Sequence, residues 1–322
     1  MINIAVIGAG QLGSRHLQGL ARLNIENNIY VIDPSKESLE TAMQRFDEIQ
    51  HSNTKKIFFS EEIDIKDKLD IAIIATNSLQ RREVIEKLLN SVKVDYLIIE
   101  KFLFPSLEDY SAIETLISEK CKGAWVNCVR RAYDFYNSIK NQISGEEYIS
   151  YNYNGYNLRP ASNSIHHLDL FSYLCGSFKL DIDSTGLDAN LLKAKRDSYV
   201  EFKGTIIAKA DKNIFMLTSY NTGNAPAVIE IKTPRYRYFI EEGKRQVIKS
   251  FEENNWEYQT GAFEYPMQSA LTNLIVEEII KEGSCKLTDY KESFYIHKQF
   301  LKSIFEFYKT KRGEDISFCP IT

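Results

Sequence analysis

The sequence predicts an α/β protein in two parts, a doubly wound parallel sheet followed by an α+β domain built on a predominantly antiparallel open sheet. Three observations carry that expectation. Apolar runs alternate with amphipathic runs as far as Lys122, the texture of parallel strands joined by helices. The first apolar run, Ile4 to Ile7, opens straight into Gly8-Ala-Gly-Gln-Leu-Gly13. After Ile143 the segments become longer and polar-alternating, as in an antiparallel sheet with one exposed face.

In order, the spacing predicts strands over 2–7, 29–32, 56–59, 71–75 and 96–100, with another over 125–129. Helices are predicted over 11–23, 36–46, 80–90 and 107–122, where apolar residues recur at helical period. In the second part, strands are predicted over 147–156, 200–210, 214–220, 227–231 and 237–241, and helices over 164–174, 268–281 and 292–309. The expected boundary lies near Gly123, giving domains 1–122 and 123–322.

The glycine triplet has a physical logic. Gly8 permits the tight turn out of the strand, Gly10 lets the backbone approach a pyrophosphate, and Gly13 lets the next helix pack on the strand. The N–H groups around Gln11 and Leu12 then open that helix, where its dipole favours an anion. Asp33 closes the following apolar run 20 residues past Gly13, placed to accept hydrogen bonds from the adenosine ribose. These features together predict a dinucleotide-binding Rossmann domain. A carboxylate at Asp33 suits NAD and repels the 2′-phosphate of NADP. Ser35 and Lys36 follow closely and keep NADP open, although a first-turn lysine is ordinarily just solvated.

Composition narrows the class. A chain of 322 residues has room for two cores, and its net charge of −4 shows no electrostatic footprint for nucleic acid. Short basic runs at Lys55-Lys56, Arg81-Arg82 and Arg130-Arg131 read mostly as solvated faces. No apolar stretch approaches the ~20 residues that span a bilayer, and the first strand starts too early for a signal peptide. Cys121, Cys128, Cys175, Cys285 and Cys319 are scattered without a Cys-x-x-Cys pair, as in a reduced cytoplasmic protein. No second His/Cys cluster joins His166, His167 and Asp169, so no metal site is expected.

Several islands in fixed order carry a wider likeness: Val6-Ile-Gly-Ala-Gly-Gln-Leu-Gly-Ser-Arg-His16, Ile73-Ile-Ala-Thr-Asn77, Ile99-Glu-Lys101, Ile165-His-His-Leu-Asp169 and Leu287-Thr-Asp-Tyr290. With them the chain resembles the Gfo/Idh/MocA oxidoreductases, the group that includes glucose–fructose oxidoreductase and inositol dehydrogenase. The resemblance implies a Rossmann domain followed by a predominantly antiparallel sheet, whose open face in many members supports homodimers or homotetramers. It implies an NAD(P)-dependent dehydrogenase acting on a hydroxyl or keto group of a sugar or sugar-derived substrate. It places Thr76 and Asn77 on the nicotinamide side, with Glu100 and Lys101 as the strand-end signature, and it implies that Leu287-Thr-Asp-Tyr290 begins the last helical segment. Two departures stand out. Phe102 replaces the family's proline after Lys101, and Ser162 stands where the fullest signature has an aspartate four residues before the histidine. Shifting the register to His167 puts Asn163 there instead, and Asp169 fits the trailing aspartate better with His166.

The chemistry assigned to these residues is explicit. An ammonium at Lys101 hydrogen-bonds the reacting oxygen and stabilises a developing alkoxide. His166 is the general base in oxidation, or the acid in reduction, because imidazole titrates near neutrality. Asp169 shares its helical face; at the substrate site it either replaces the histidine's missing acidic partner or docks the helix against the Rossmann domain. Arg159, with Arg130 and Arg131, offers guanidinium forks for a carboxylate or phosphate, which makes an acidic or nucleotide-linked sugar a candidate substrate. Ion pairing between the domains is the competing use of these arginines. Two rival functions stay open at this point: a non-catalytic dinucleotide sensor on the same scaffold, and a reductase of an imine or non-sugar carbonyl.

Asp33 makes the first testable prediction. NADH binds more tightly than NADPH in a nucleotide-fluorescence titration, and equal or tighter NADPH binding would shift the assignment to Ser35 and Lys36.

Overall fold

The computed structural model describes residues 1–194 and 196–321. The chain forms two compact units. The first comprises Met1–Phe104, Glu108–Asn127 and Pro266–Lys291, and the second takes Pro105–Leu107, Cys128–Tyr265 and the chain from Glu292 onward.

The first unit is built on β1 (Ile2–Ile7), α1 (Gln11–Leu20), β2 (Asn27–Ile32), α2 (Lys36–Asp47), β3 (Thr54–Ser60), β4 (Leu69–Ile74), α3 (Ser78–Ser91), β5 (Val94–Ile99), α4 (Leu107–Lys120) and β6 (Gly123–Val126). Six strands of its sheet run β3-β2-β1-β4-β5-β6, all parallel. The central strands are apolar throughout because helices cover both faces: Ile4, Ala5 and Val6 are fully buried, as are Ile71, Ala72 and Ile73 beside them. Strand order reverses between β1 and β4, so a crevice opens at their C-terminal ends, where open α/β sheets bind ligands.

The second unit adds α5 (Asp134–Gln142), β7 (Ser150–Tyr156), α6 (Pro160–Cys175), β8 (Asp181–Asp183), β9 (Leu192–Lys193), β10 (Val200–Glu201), β11 (Gly204–Ala210), β12 (Asn213–Tyr220), β13 (Val228–Lys232), β14 (Tyr236–Glu241), β15 (Gln246–Phe251) and β16 (Gln259–Ala262). Helix α7 (Gln268–Glu282) and strand β17 (Thr288–Asp289) belong to the first unit, and α8 (Tyr290–Phe307) follows. The larger sheet runs β16-β15-β14-β13-β7-β12-β11-β8 and is antiparallel except for the β7–β12 pair. One face is core: Phe215, Leu217, Tyr151 and Ile231 are buried, and Phe171 of α6 sits against the Tyr151 and Phe215 rings. The other face leaves Ile214, Met216 and Ile248 exposed.

The architecture matches the fold class read from the sequence, and the differences have physical reasons. A single cut after residue 122 does not describe the units, because α7 returns to pack on α1 and β17 pairs antiparallel with β6. Thr288 and Asp289 are therefore strand rather than the start of the last helix. The run over 200–210 is two strands, broken where Gly204 adopts φ +104°. Strands β8, β15 and β16 escaped the periodicity reading. The exposed Asp-Ile-Asp of β8 and Gln-Thr-Gly-Ala of β16 are edge strands with little apolar alternation.

The two arginines after β6 are not a solvated pair. In the short turn Val129–Ala132, Arg131 donates from Nε and Nη2 to both carboxylate oxygens of Asp169 on α6, at 3.0 and 2.9 Å. Its Nη1 donates to Glu292 at 3.0 Å. Both partners of the Arg131–Asp169 pair are buried. Burial pulls the guanidinium down, yet the two carboxylates hold it above its ordinary value. Arg130 likewise grips Glu242 through Nε and Nη2, at 2.9 and 2.7 Å, while Tyr136 donates to the same carboxylate at 2.6 Å. Removing one partner of a buried pair strands the other charge, at a cost of about 3–5 kcal/mol. Asp169→Ala therefore lowers the unfolding free energy by about that much in urea denaturation, and replacing both partners with apolar residues of similar volume recovers most of the loss.

Candidate functional site

The glycine loop at the end of β1 is shaped by contact on one side and openness on the other. Gly8 has φ +95°, and a Cβ there would lie 2.8 Å from the backbone of Ala75 and Thr76. A Cβ at Gly13 would lie 1.7 Å from the Gly8 carbonyl oxygen. At Gly10 nothing comes within 4 Å. Gly8 and Gly13 are thus required by packing, whereas Gly10 faces open space that a ligand backbone can approach. The first bond inside α1 runs from the Ser14 N–H to the Gly10 carbonyl at 2.9 Å. The N–H groups of Gln11, Leu12 and Gly13 precede it and have no intrahelical partner.

Asp33 supports this loop directly. One carboxylate oxygen accepts the Ala9 N–H at 2.7 Å and the other accepts the Ser35 N–H at 2.8 Å. Each oxygen retains a lone pair for a ribose hydroxyl. Ser35 caps α2, its hydroxyl accepting the Ser38 N–H at 3.2 Å, and the exposed Lys36 pairs with Glu61 at 3.5 Å. Both residues that kept NADP open have partners within the chain.

At the end of β4, the Thr76 hydroxyl and the Asn77 side-chain oxygen are buried with no hydrogen-bond partner among the described residues. Such atoms fit a ligand that brings donors to this edge, as the ribose hydroxyls and amide of a nicotinamide nucleotide do. The adjacent loop is held by Arg81, which the sequence reading left on a solvated face. It is fully buried and donates to the carbonyls of Thr76, Phe102 and Leu103, the last at 3.1 Å. One guanidinium thereby ties together the segments that follow β4 and β5.

Glu100 follows β5 inside a buried polar network. Its Oε1 accepts from Asn127 and lies 2.9 Å from His16 Nε2. His16 Nδ1 meets the Thr272 hydroxyl at 3.0 Å, and Asn127 donates to Gln268 at 2.9 Å. Glu100 was expected among the cofactor contacts; its Oε1 is engaged by the protein, one residue before Lys101. Lys101 is half-buried at the C-terminal end of β5, and its peptide with Phe102 is cis. The sequence marked His16 only as part of the opening motif, and nothing in it pointed to Asn127 or Thr272.

In the second unit, α6 carries the two histidines in different surroundings. His167 is fully buried, with Nδ1 2.7 Å from the Tyr151 hydroxyl and its ring stacked on Tyr153 at 3.7 Å between centroids. Burial, with Arg130 nearby, pushes its pKa well below the usual range. His166 is half-buried and is the more accessible of the two. Tyr151 and Tyr153, given no role from sequence, pack His167. Asp169 is held by Arg131 of its own unit, so its carboxylate anchors α6 within that unit. Arg159 precedes α6 with φ +56° and forms no ion pair among the described residues.

A carboxylate does reach Ser162, from a distant strand. Glu201 accepts the Ser162 hydroxyl at 2.7 Å, the Ala161 N–H at 2.6 Å and the Phe202 N–H at 3.0 Å. Burial raises its pKa against these three donors. The sequence pattern showed Glu201 only as an acid in a strand.

Residues 2–128 match the family described as an oxidoreductase family with an NAD-binding Rossmann fold, Gfo/Idh/MocA. No match is found among curated proteins. Solved structures share the fold over nearly the whole chain. An oxidoreductase from Agrobacterium radiobacter in complex with NAD+, L-tartaric acid and magnesium is 13% identical with a TM-score of 0.71, covering 97% of each chain. Levoglucosan dehydrogenase in complex with NADH is 14% identical with a TM-score of 0.69, covering 95% of this chain and 96% of its own. UDP-N-acetylglucosamine 3-dehydrogenase from Acidithiobacillus ferrooxidans is 14% identical with a TM-score of 0.66, covering 94% and 96%. The glycine loop, the Asp33 carboxylate and the strand-end residues described above all lie in the matched segment. Residues 2–128 of this chain are an NAD-binding Rossmann domain of the Gfo/Idh/MocA oxidoreductase family.

Proposed function

We propose that this chain is an NAD-dependent dehydrogenase that moves a hydride between the nicotinamide and a hydroxyl or keto group of a sugar-like substrate. The observation that carries the reading is Lys101, a half-buried lysine at the end of β5 on the sheet edge that also bears the dinucleotide loop. Its backbone is gripped on both sides, by the Glu100 network before it and by Arg81 after it. NAD supplies the hydride chemistry; the chain supplies position and protons. Lys101 donates to the reacting oxygen, and His166 takes the hydroxyl proton in oxidation or returns it in reduction.

The sugar class is supported by fold likeness to dehydrogenases named for levoglucosan and for UDP-N-acetylglucosamine. An acidic group on the substrate is supported by Arg159 alone, since Arg130 and Arg131 are committed to Glu242 and Asp169. The partner we infer is a second copy of the chain, joined through the open sheet face that bears Ile214, Met216 and Ile248. A cytoplasmic setting is supported by the scattered spacing of the five cysteines, none in a Cys-x-x-Cys pair. No helix among the described residues is long and apolar enough to cross a membrane.

Steady-state kinetics over neutral and acidic sugars test the activity. Lys101→Met and His166→Ala each lower turnover by ~100-fold or more, the range for oxyanion and acid–base groups, while NADH affinity changes little. Arg159→Ala raises KM for acidic sugars far more than it lowers kcat. Collapse after His167→Ala with full turnover in His166→Ala would put the register off by one. A nicotinamide that binds yet never changes redox state with any sugar or other carbonyl would point to a sensor instead. The assembly is tested by sedimentation velocity: the wild type runs as a dimer or larger, and Met216→Glu, which sets a charge on the open face, shifts it to monomer.

A further inference from the structure

Beside the glycine loop, a cavity of about 230 Å3 is lined by Gly10, Gln11, Glu37, Ser38, Thr41 and Arg45. Arg45 stands in the last turn of α2 and reaches across to the first turn of α1. Its Nη1 donates to the Ser14 hydroxyl at 2.5 Å and lies 3.5 Å from the Gln11 carbonyl, and its Nη2 donates to the Gln11 side-chain oxygen at 3.0 Å. A guanidinium carries five N–H groups in a planar fork. These contacts use Nη1 and half of Nη2, leaving the Nε–H and the second Nη2–H. That remaining edge is the one through which Arg130 and Arg131 hold carboxylates bidentately in this same protein. Arg45 forms no ion pair with a carboxylate among the described residues.

We propose that Arg45 binds a phosphate group of the nicotinamide dinucleotide with its Nε/Nη2 edge. The loop beside it has the openness at Gly10 that a close-approaching phosphate needs. The unpartnered N–H groups of α1 and its positive dipole end add attraction of the same sign. Arg45 is preorganised for the task, because Gln11 and Ser14 already fix the guanidinium plane. A phosphate presents oxygens at the spacing of the fork, which an ammonium cannot match. Two sources carry this chemistry, the diphosphate common to both cofactors and the 2′-phosphate of NADP. The inference rests on the dinucleotide alone and is independent of the sugar reading.

Calorimetric titration of NADH and NADPH into wild type, Arg45→Met and Arg45→Lys tests it, at low and at moderate ionic strength. Arg45→Met is expected to weaken NADH by at least ~10-fold at low salt, to flatten the salt dependence, and to leave the melting temperature of the unliganded protein unchanged. Arg45→Lys falls between the two. Weakening of both nucleotides assigns the diphosphate, and weakening of NADPH alone assigns the 2′-phosphate; either supports a phosphate contact. Wild-type affinity for both in Arg45→Met overturns it. So does a loss with unchanged salt dependence that Arg45→Lys shares in full, since Arg45 would then act only by positioning Gln11. If Arg45→Met melts early, Arg45→Gln takes its place, keeping donors for Gln11 and Ser14 without the charge.

Discussion

Everything at the nucleotide end of this protein depends on one close backbone approach, the packing of α1 onto the carbonyl of Gly8. With 1.7 Å between that oxygen and the place a Gly13 Cβ would take, no side chain can enter without parting helix from strand. The contact sets the angle at which α1 leaves β1, and so where its unpartnered N–H groups point. Asp33 then closes the loop from the other side by accepting the Ala9 N–H. A carboxylate that both braces the loop and keeps lone pairs for a ribose is a preorganised contact, whose ordering is complete before the ligand arrives.

A second constraint acts at the other side of the sheet edge. Glu100, His16, Asn127, Gln268 and Thr272 come from four separate stretches of chain, and their hydrogen bonds close on one another with little exposure. A buried carboxylate is tolerated only when its lone pairs are met, so the four stretches must assemble together. This explains why residues 266–291 belong to the first unit although they follow the whole second sheet in sequence. It also leaves the backbone just before Lys101 with little freedom.

What was legible in the sequence had a period or a spacing. The parallel strands, the glycine triplet and Asp33 show themselves within a few dozen residues, because the physics that requires them is local. The return of α7 has no local signal, since its docking surface is α1. Strands β8 and β16 lacked one because edge strands carry few apolar residues. The partners of charged residues were least legible of all. Arg81 sits beside Arg82 in sequence, yet one is fully buried on three carbonyls while the other pairs with Glu86 and Asp109 near the surface. The two histidines of α6 divide in the same way, because adjacent helical residues point ~100° apart.

That division of charge bears on function by elimination. A guanidinium buried against a carboxylate has its fork filled, and freeing it for a ligand would strand the partner carboxylate in a low-dielectric interior. Arg130 and Arg131 are spent in this way, and the buried fork of Arg81 is turned on backbone carbonyls. Composition alone counts all of them as possible anion sites. Once the committed ones are set aside, two of the arginines considered above keep donors available: Arg45 at the dinucleotide loop and Arg159 ahead of α6. On the two proposals above, Arg45 answers to a phosphate of the dinucleotide and Arg159 to a charge that only some substrates bear. Binding energy at Arg45 is therefore common to every substrate. On the proposed function, discrimination among substrates by charge falls to Arg159.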